Sequence, residues 1–197
     1  MEEISSTDTW RVFVAIELPN EIREELKIHA KRLREMVPQA QASWSRPENI
    51  HLTLKFLGDT PGSRIHQLSE AASRTVEFFE PFRIGVGGTG AFPNHREPRV
   101  LWIGLSDFQN KLSALHTALE AECARIGFEK EARAFHPHLT IARLRKPQHG
   151  RVLAEAHKQM EFKHVEFTVS ELLVIRSELS SAGSKYATIS RHPLGLK

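Results

Sequence analysis

The chain is poor in the features that announce several common chemistries. Cys123 is the only cysteine among 197 residues, so no intramolecular disulfide can form and a reducing cytoplasm is the natural setting. No stretch approaches the roughly 18 consecutive apolar residues of a membrane span, and a membrane partner is not expected. Met1 to Thr9 is acidic and polar and lacks a basic segment followed by an apolar run; residues 1–9 read as a disordered leader. No cysteine cluster, H-E-x-x-H pattern or Asp-rich loop marks a metal site, and no Gly-x-Ser-x-Gly elbow marks a serine hydrolase. The glycines at 85, 87, 88 and 90 lead to no Gly-Lys-Ser/Thr, which argues against a nucleoside-triphosphate P-loop. They serve tight turns or close backbone packing. A formal charge of +3 is too small by itself to define a nucleic-acid partner.

What the chain does have is a four-residue phrase that occurs twice, His51-Leu52-Thr53-Leu54 and His138-Leu139-Thr140-Ile141. Each copy alternates polar and apolar residues, the period of a strand with one wet and one buried face. His and Thr, two residues apart, then point the same way, and Leu52/Leu54 and Leu139/Ile141 point into a core. Two such strands facing one another would gather two imidazoles and two hydroxyls. That set suits holding a phosphate while one His takes a proton and the other gives one. Competing readings are weaker. His136 and His138 have H-x-H spacing, but no acidic or cysteine partner joins them and Thr is a poor metal ligand. Arg143, Arg145, Lys146 and Arg151 follow the second strand and read either as a solvated loop or as the rim of a site for an anion. Their adjacency to the His/Thr strand favours the rim.

The rest of the chain alternates helices and strands. Trp10–Leu18 reads as a buried strand and Asn20–Val37 as a helix with Ile22, Leu26, Ala30 and Leu33 on one face. Residues 42–47 are short and extended. Ile50–Leu57 is the first His/Thr strand, stopped by Gly58-Asp59, and Thr60-Pro61 has the form of an N-cap and first turn of a helix to about Phe79. Phe82, Ile84 and Val86 alternate as a strand before a loop over 87–94, and Val100–Gly104 is another strand. Ser106 with Gln109 has the form of a capping box. The helix it opens, through Phe108, Leu112, Leu115, Leu119, Cys123 and Ile126, ends at Gly127 and puts Cys123 in the core, as filler and not as nucleophile. The second His/Thr strand runs to about Leu144, and residues 147–161 could form a short helix. Val165 to Ile175 reads as one long or bent strand. A turn at Ser180–Ser184 and a strand over Lys185–Ser190 close the chain. Helices intermixed with hairpin-joined strands make an α+β fold of mostly antiparallel sheets. Each His/Thr strand closes one half, so two pseudo-repeated lobes with a cleft between them are expected.

Several separated segments together carry a resemblance. They are RVFVAIELP at Arg11–Pro19, WSRPENIHLTLKFLG at Trp44–Gly58, AFPNHREPRVLWIG at Ala91–Gly104, GFEKEARAFHPHLTIAR at Gly127–Arg143, and a Gly-x-x-Tyr ending at Tyr186. The chain resembles the two-histidine (2H) phosphoesterases, and within them the RNA 2′,3′-cyclic phosphodiesterases, also called 2′-5′ RNA ligases (LigT/ThpR-like). The resemblance implies one bilobal α+β domain over residues 10–197, with helices outside and the two catalytic strands facing a central cleft. It implies a reaction with no metal or cofactor, and a cytoplasmic monomer whose partner is an RNA or oligonucleotide ending in a 2′,3′-cyclic phosphate. His51 would protonate the departing ribose O3′ as general acid and His138 would activate water as general base. Thr53 and Thr140 would hold nonbridging phosphate oxygens. The fifth residue after each histidine would also serve, Phe56 stacking on a base and Arg143 meeting phosphate or base. Strict alternation, however, puts Phe56 and Arg143 on the face opposite the histidines unless the strands twist or end there, so Phe56 reads either as plain core or as the stacking residue. The alternative to an enzyme is a non-catalytic nucleotide- or RNA-binding module on the same fold, which the two intact His/Thr pairs disfavour.

Overall fold

The computed structural model of the protein describes residues 8–145, 149–180 and 183–195. The leader up to Thr7, Lys146 of the basic run, and Ser181-Ala182 of the last turn lie outside the described residues. In order, the elements are β1 (Thr9–Ile16), α1 (Asn20–Met36), β2 (Ala42–Trp44), β3 (Leu52–Pro61), α2 (Ile65–Val76), β4 (Phe82–Phe92), β5 (Val100–Ser106), α3 (Lys111–Arg125), β6 (His138–Leu144), α4 (Gly150–Gln159), β7 (Val165–Val169), β8 (Glu171–Ser180) and β9 (Gly183–Pro193). Thr9, placed in the leader by its sequence, is the first residue of β1.

The strands form two antiparallel sheets, one in the order β3-β1-β8-β9 and one in the order β2-β6-β5-β4-β7. Helices α2 and α3 pack on each other and on the four-stranded sheet, while α1 packs on α4 and α4 on β4. The expected α+β class with helices outside the sheets is what folds. The hydrophobic reason is visible in β1, where Val12, Val14 and Ile16 enter the main core under the helices. Phe13 and Ala15 on its other face join Leu173 and Ile175 of β8 in a small second apolar layer. Both faces of this central strand are therefore buried, which explains its unbroken apolar run.

Four local expectations give way to pairing. Thr60-Pro61 does not open a helix: β3 continues through Gly58 at φ +67 and pairs Pro61 with Thr9. Ser106 and Gln109 make no capping box. Helix α3 starts later, after Asn110 at φ 56, and the Asp107 carboxylate accepts from the Ser113 N–H (2.8 Å) and hydroxyl (3.0 Å), leaving Phe108 outside and exposed. The glycine-rich stretch is strand β4 and not a loop. Its Gly88 takes φ +73 at a register shift, and Gly90 lies so close to Trp102 that a Cβ there would meet the indole at 2.1 Å. Residues 165–175 are two strands in different sheets, with Ser170 the crossing point. The end of α3 behaves as its sequence implies: Gly127 (φ +82) and Phe128 donate their N–H groups to Ala124 and Cys123 carbonyls at 3.0 Å, a Schellman closure.

Candidate active site

Strands β3 and β6, which belong to different sheets, come into contact, and the two His/Thr phrases lie at their N-terminal ends. They are alike in more than sequence. In β3, Thr53 lies opposite Ala15, Lys55 opposite Val14 and Phe56 opposite Phe13, so Leu54 is an extra residue. In β6, Thr140 lies opposite Trp102, Ala142 opposite Leu101 and Arg143 opposite Val100, so Ile141 is an extra residue. Each is a β-bulge one residue after the threonine. It places two consecutive side chains on the buried face, Leu54 with Lys55 and Ile141 with Ala142, and returns the next one to the histidine's face. Phe56 and Arg143 therefore share a face with His51/Thr53 and with His138/Thr140, which corrects the strict alternation. Phe56 is not core: it is 69% exposed.

The two imidazoles are held in the same manner by different neighbours. Residue i−2 supplies a backbone carbonyl in each case, Asn49 for His51 and His136 for His138. For His138 the bond is Nδ1 to the His136 carbonyl oxygen at 2.7 Å, which fixes the proton on Nδ1 and leaves Nε2 with its lone pair. His51 stacks on Phe13 at 4.5 Å between centroids, and Tyr186 meets both rings edge-on at 5.2 Å. Asn49 is itself fixed, its Nδ2 donating to the Ser184 carbonyl at 2.8 Å. Arg23 braces the same approach, reaching the Leu18 and Glu48 carbonyls at 3.0 and 2.9 Å. His138 meets Phe92 edge-on at 5.0 Å, with Trp102 at 6.4 Å.

This packing sets the proton affinities. Burial lowers the His51 imidazole to about 4; the Asn49 carbonyl opposes the shift and the Arg23 charge adds to it. Burial also lowers His138, opposed by the His136 carbonyl and reinforced by the Arg143 guanidinium. That last contribution places the Arg143 charge within electrostatic reach of the imidazole. Arg145, further along, donates Nε–H to Ser43 Oγ at 2.7 Å. Among the described residues no group of three or more His, Cys, Asp or Glu could hold a metal ion, and His136 lends its carbonyl to His138. Cys123 is fully buried and burial pushes its thiol up to about 11, the behaviour of core filler.

A recess of about 230 Å³ opens beside His138, lined by Phe92, Trp102, Gly104, Leu105, His136 and Pro137. A larger one of about 320 Å³ lies elsewhere, between the end of β1 and the β7–β8 crossing. Its carboxylates, Glu17 and Glu171, are engaged with Arg23 and Arg191, a poor setting for an anion. Sequence reasoning missed Phe13, Asn49, Phe92 and Trp102 as neighbours of the histidines. Only the matched segments that contain them gave a signal.

Two imidazoles on strands that touch, each with a threonine and an exposed fifth residue on its face, are groups able to exchange protons with and hold a phosphate ester. The chain belongs to the 2′-5′ RNA ligase superfamily, which its residues 18–180 match. A relative named RNA 2′,3′-cyclic phosphodiesterase from Methanothermobacter thermautotrophicus is 35% identical, over 89% of this chain and 94% of that one. Another of that name, from Thermotoga maritima, is 31% identical over 91% and 92%. The fold is similar to Escherichia coli LigT crystallised with 3′-AMP, with TM-score 0.77, 27% identity and coverage of 96% of this chain and 100% of that one.

Proposed function

We propose that this chain is an RNA 2′,3′-cyclic 3′-phosphodiesterase that opens a cyclic phosphate end to a 2′-phosphomonoester, with His51 as general acid and His138 as general base. The observation that carries the reading is the doubled arrangement of His, Thr, bulge and fifth residue on two strands that meet. A cyclic phosphate opens when water adds to phosphorus in line with a departing ribose oxygen. At neutral pH water is a poor nucleophile and an alkoxide a poor leaving group, so a base and an acid must stand on opposite sides of phosphorus. His138, with Nε2 unprotonated, takes the proton of water. His51 gives its proton to O3′. The Thr53 and Thr140 hydroxyls and the Arg143 guanidinium hold the nonbridging oxygens as their charge grows. Phe56, exposed on the face of His51, offers its ring to the base of the same nucleotide. The same groups run the same step when a 5′-hydroxyl takes the place of water, giving a 2′-5′ link.

The test is incubation with an RNA ending in a 2′,3′-cyclic phosphate, reading by phosphorus NMR which oxygen keeps the phosphate. A 2′-phosphate is expected, and a 3′-phosphate would reverse the leaving-group geometry. A substrate with a phenolate leaving group separates the histidines, because it needs little protonation. His51→Ala should lose about 10²–10⁴ in rate on the ribose ester and much less on the aryl ester, while His138→Ala is crippled on both. Rescue of His138→Ala with His51→Ala left inactive would exchange the two roles.

A further inference from the structure

The recess beside His138 has no task in hydrolysis, since water needs no aromatic wall. Yet it is built into the reactive face. Gly104 lies opposite His138, Trp102 opposite both Thr140 and Gly90, and Phe92 opposite Val100, which in turn pairs with Arg143. The rings of Phe92 and Trp102, 5.2 Å apart and tilted by 36°, thus share one face with the imidazole, the hydroxyl and the guanidinium. Only glycine at 90 leaves room for the indole, since any Cβ there would overlap it. Leu105 and Pro137 complete an apolar lining. At about 230 Å³ the recess is smaller than the roughly 300–1,000 Å³ of drug-sized sites, which suits a single heterocycle.

We infer that this recess is a nucleoside subsite for a second RNA end, the one whose 5′-hydroxyl stands where water stands in hydrolysis. The inference rests on the assignment of His51 and His138 above, because in-line geometry decides which nucleoside can occupy it. The ribose that loses O3′ lies on the side of His51, with Phe56 beside it. The incoming oxygen reaches phosphorus from the side of His138, and the group attached to it falls against Phe92, Trp102, Leu105 and Pro137. Apolar and aromatic walls accept the flat face of any base, so the subsite holds a base without selecting strongly among the four. The step is balanced without a further reactant. The bond from O5′ to phosphorus forms as that from O3′ breaks, the 5′-hydroxyl proton passes to His138 Nε2, and the His51 proton passes to O3′. In reverse, O3′ attacks, the bond to O5′ breaks, and the protons return.

The reverse direction provides the assay. Two 2′-5′-linked substrates are compared, identical except that the unit on the 5′-oxygen is a nucleoside in one and an abasic ribose in the other. The wild-type protein should cleave the first with a kcat/KM higher by about 5- to 150-fold, the range that one base–aromatic stack supplies. Phe92→Leu and Leu105→Trp, the second filling the recess, should each bring that ratio below about threefold, which the stacking range predicts once the wall is gone. The ratio is taken within each variant, so any disturbance of His138 cancels. A wild-type ratio near one overturns the proposal without any variant, as does a ratio that survives both substitutions. If Phe92→Leu instead abolishes preference for the base of the cyclic-phosphate nucleoside, the recess serves that end and the proposal fails. Absence of cyclic phosphate hydrolysis by the wild-type protein would instead sink the assignment on which it rests.

Discussion

Burial holds His51 at about 4, and a group asked to donate a proton must first carry one. In the free protein both imidazoles titrate below the ordinary value of 6.5. The reactive form needs one proton shared out correctly between them, so kcat/KM, which reports the free enzyme, should peak on the acid side of pH 6.5. A bound phosphate monoanion favours imidazolium over imidazole. The profile of kcat, which reports the complex, should therefore peak at higher pH than that of kcat/KM. Rates measured from pH 4 to pH 9 check this, and coincident maxima, or a kcat maximum displaced toward acid, would contradict it. The histidines and threonines themselves were legible in the sequence because a repeated four-residue phrase needs no knowledge of the fold. Their proton affinities were not, since the burial that lowers them comes from rings distant in sequence, Phe13 and Tyr186 for His51 and Phe92 for His138.

Between strands and helices, the two bulges decide what the face that carries His51 and His138 contains. A bulge is set by the pairing partner, so nothing in His51–Phe56 alone announces that Lys55 turns inward and Phe56 outward. Local signals failed for the same reason at Thr60-Pro61, where pairing with β1 prevailed over a good helix start. The inward turn of Lys55 has a consequence for stability. Its ammonium, 4% exposed, reaches both Glu120 oxygens at 2.8 and 2.9 Å and the Glu129 carbonyl at 2.8 Å. Glu120 in turn accepts the Glu131 N–H at 3.1 Å, and His116 of α3 stacks on Phe135 at 3.9 Å. Strand β3, helix α3 and the segment leading into β6 are thus joined by one buried pair. Lys55→Met leaves a buried carboxylate without its cation and should cost about 3–5 kcal/mol. Lys55→Met with Glu120→Leu removes both charges and should recover most of that loss. Urea unfolding of the three proteins measures it; a single variant as stable as wild type, or a double variant no better than the single, would show that the pair does not act as a unit.

At the scale of the whole molecule the chain crosses between the sheets repeatedly, with β2 and β4 to β7 in one and β1, β3, β8 and β9 in the other. The bilobal α+β pattern was legible from element order, but this interleaving was not, because a strand's sheet is chosen by partners remote in sequence. Neither sheet can form from one contiguous segment, so far-UV and near-UV unfolding curves should coincide in a single transition. Acid should weaken that transition through a buried pair that joins the elements behind the site. His29 of α1 lies with Nε2 3.0 Å from His157 Nδ1 of α4, and His157 Nε2 is 3.0 Å from the Trp102 carbonyl of β5. The carbonyl can only accept, so His157 donates to it from Nε2, accepts at Nδ1 from His29, and is itself neutral. Burial first, then the neighbouring His157 and Arg32, lower His29 to about 4. Between its unfolded value of 6.5 and about 4 the unfolded chain binds the proton and the folded one does not. Stability from this group is therefore fully present above pH 6.5 and is lost as pH falls, by about 3 kcal/mol in all at 1.36 kcal/mol per unit. Replacing His29 by Gln removes the titration, so the variant should lose about that much less than wild type between pH 7 and pH 4. Carboxylate protonation affects both proteins alike and drops out of the comparison. Equal losses in the two proteins would mean that His29 carries its proton in the folded state, and that the neutral chain from α1 through α4 to β5 does not exist.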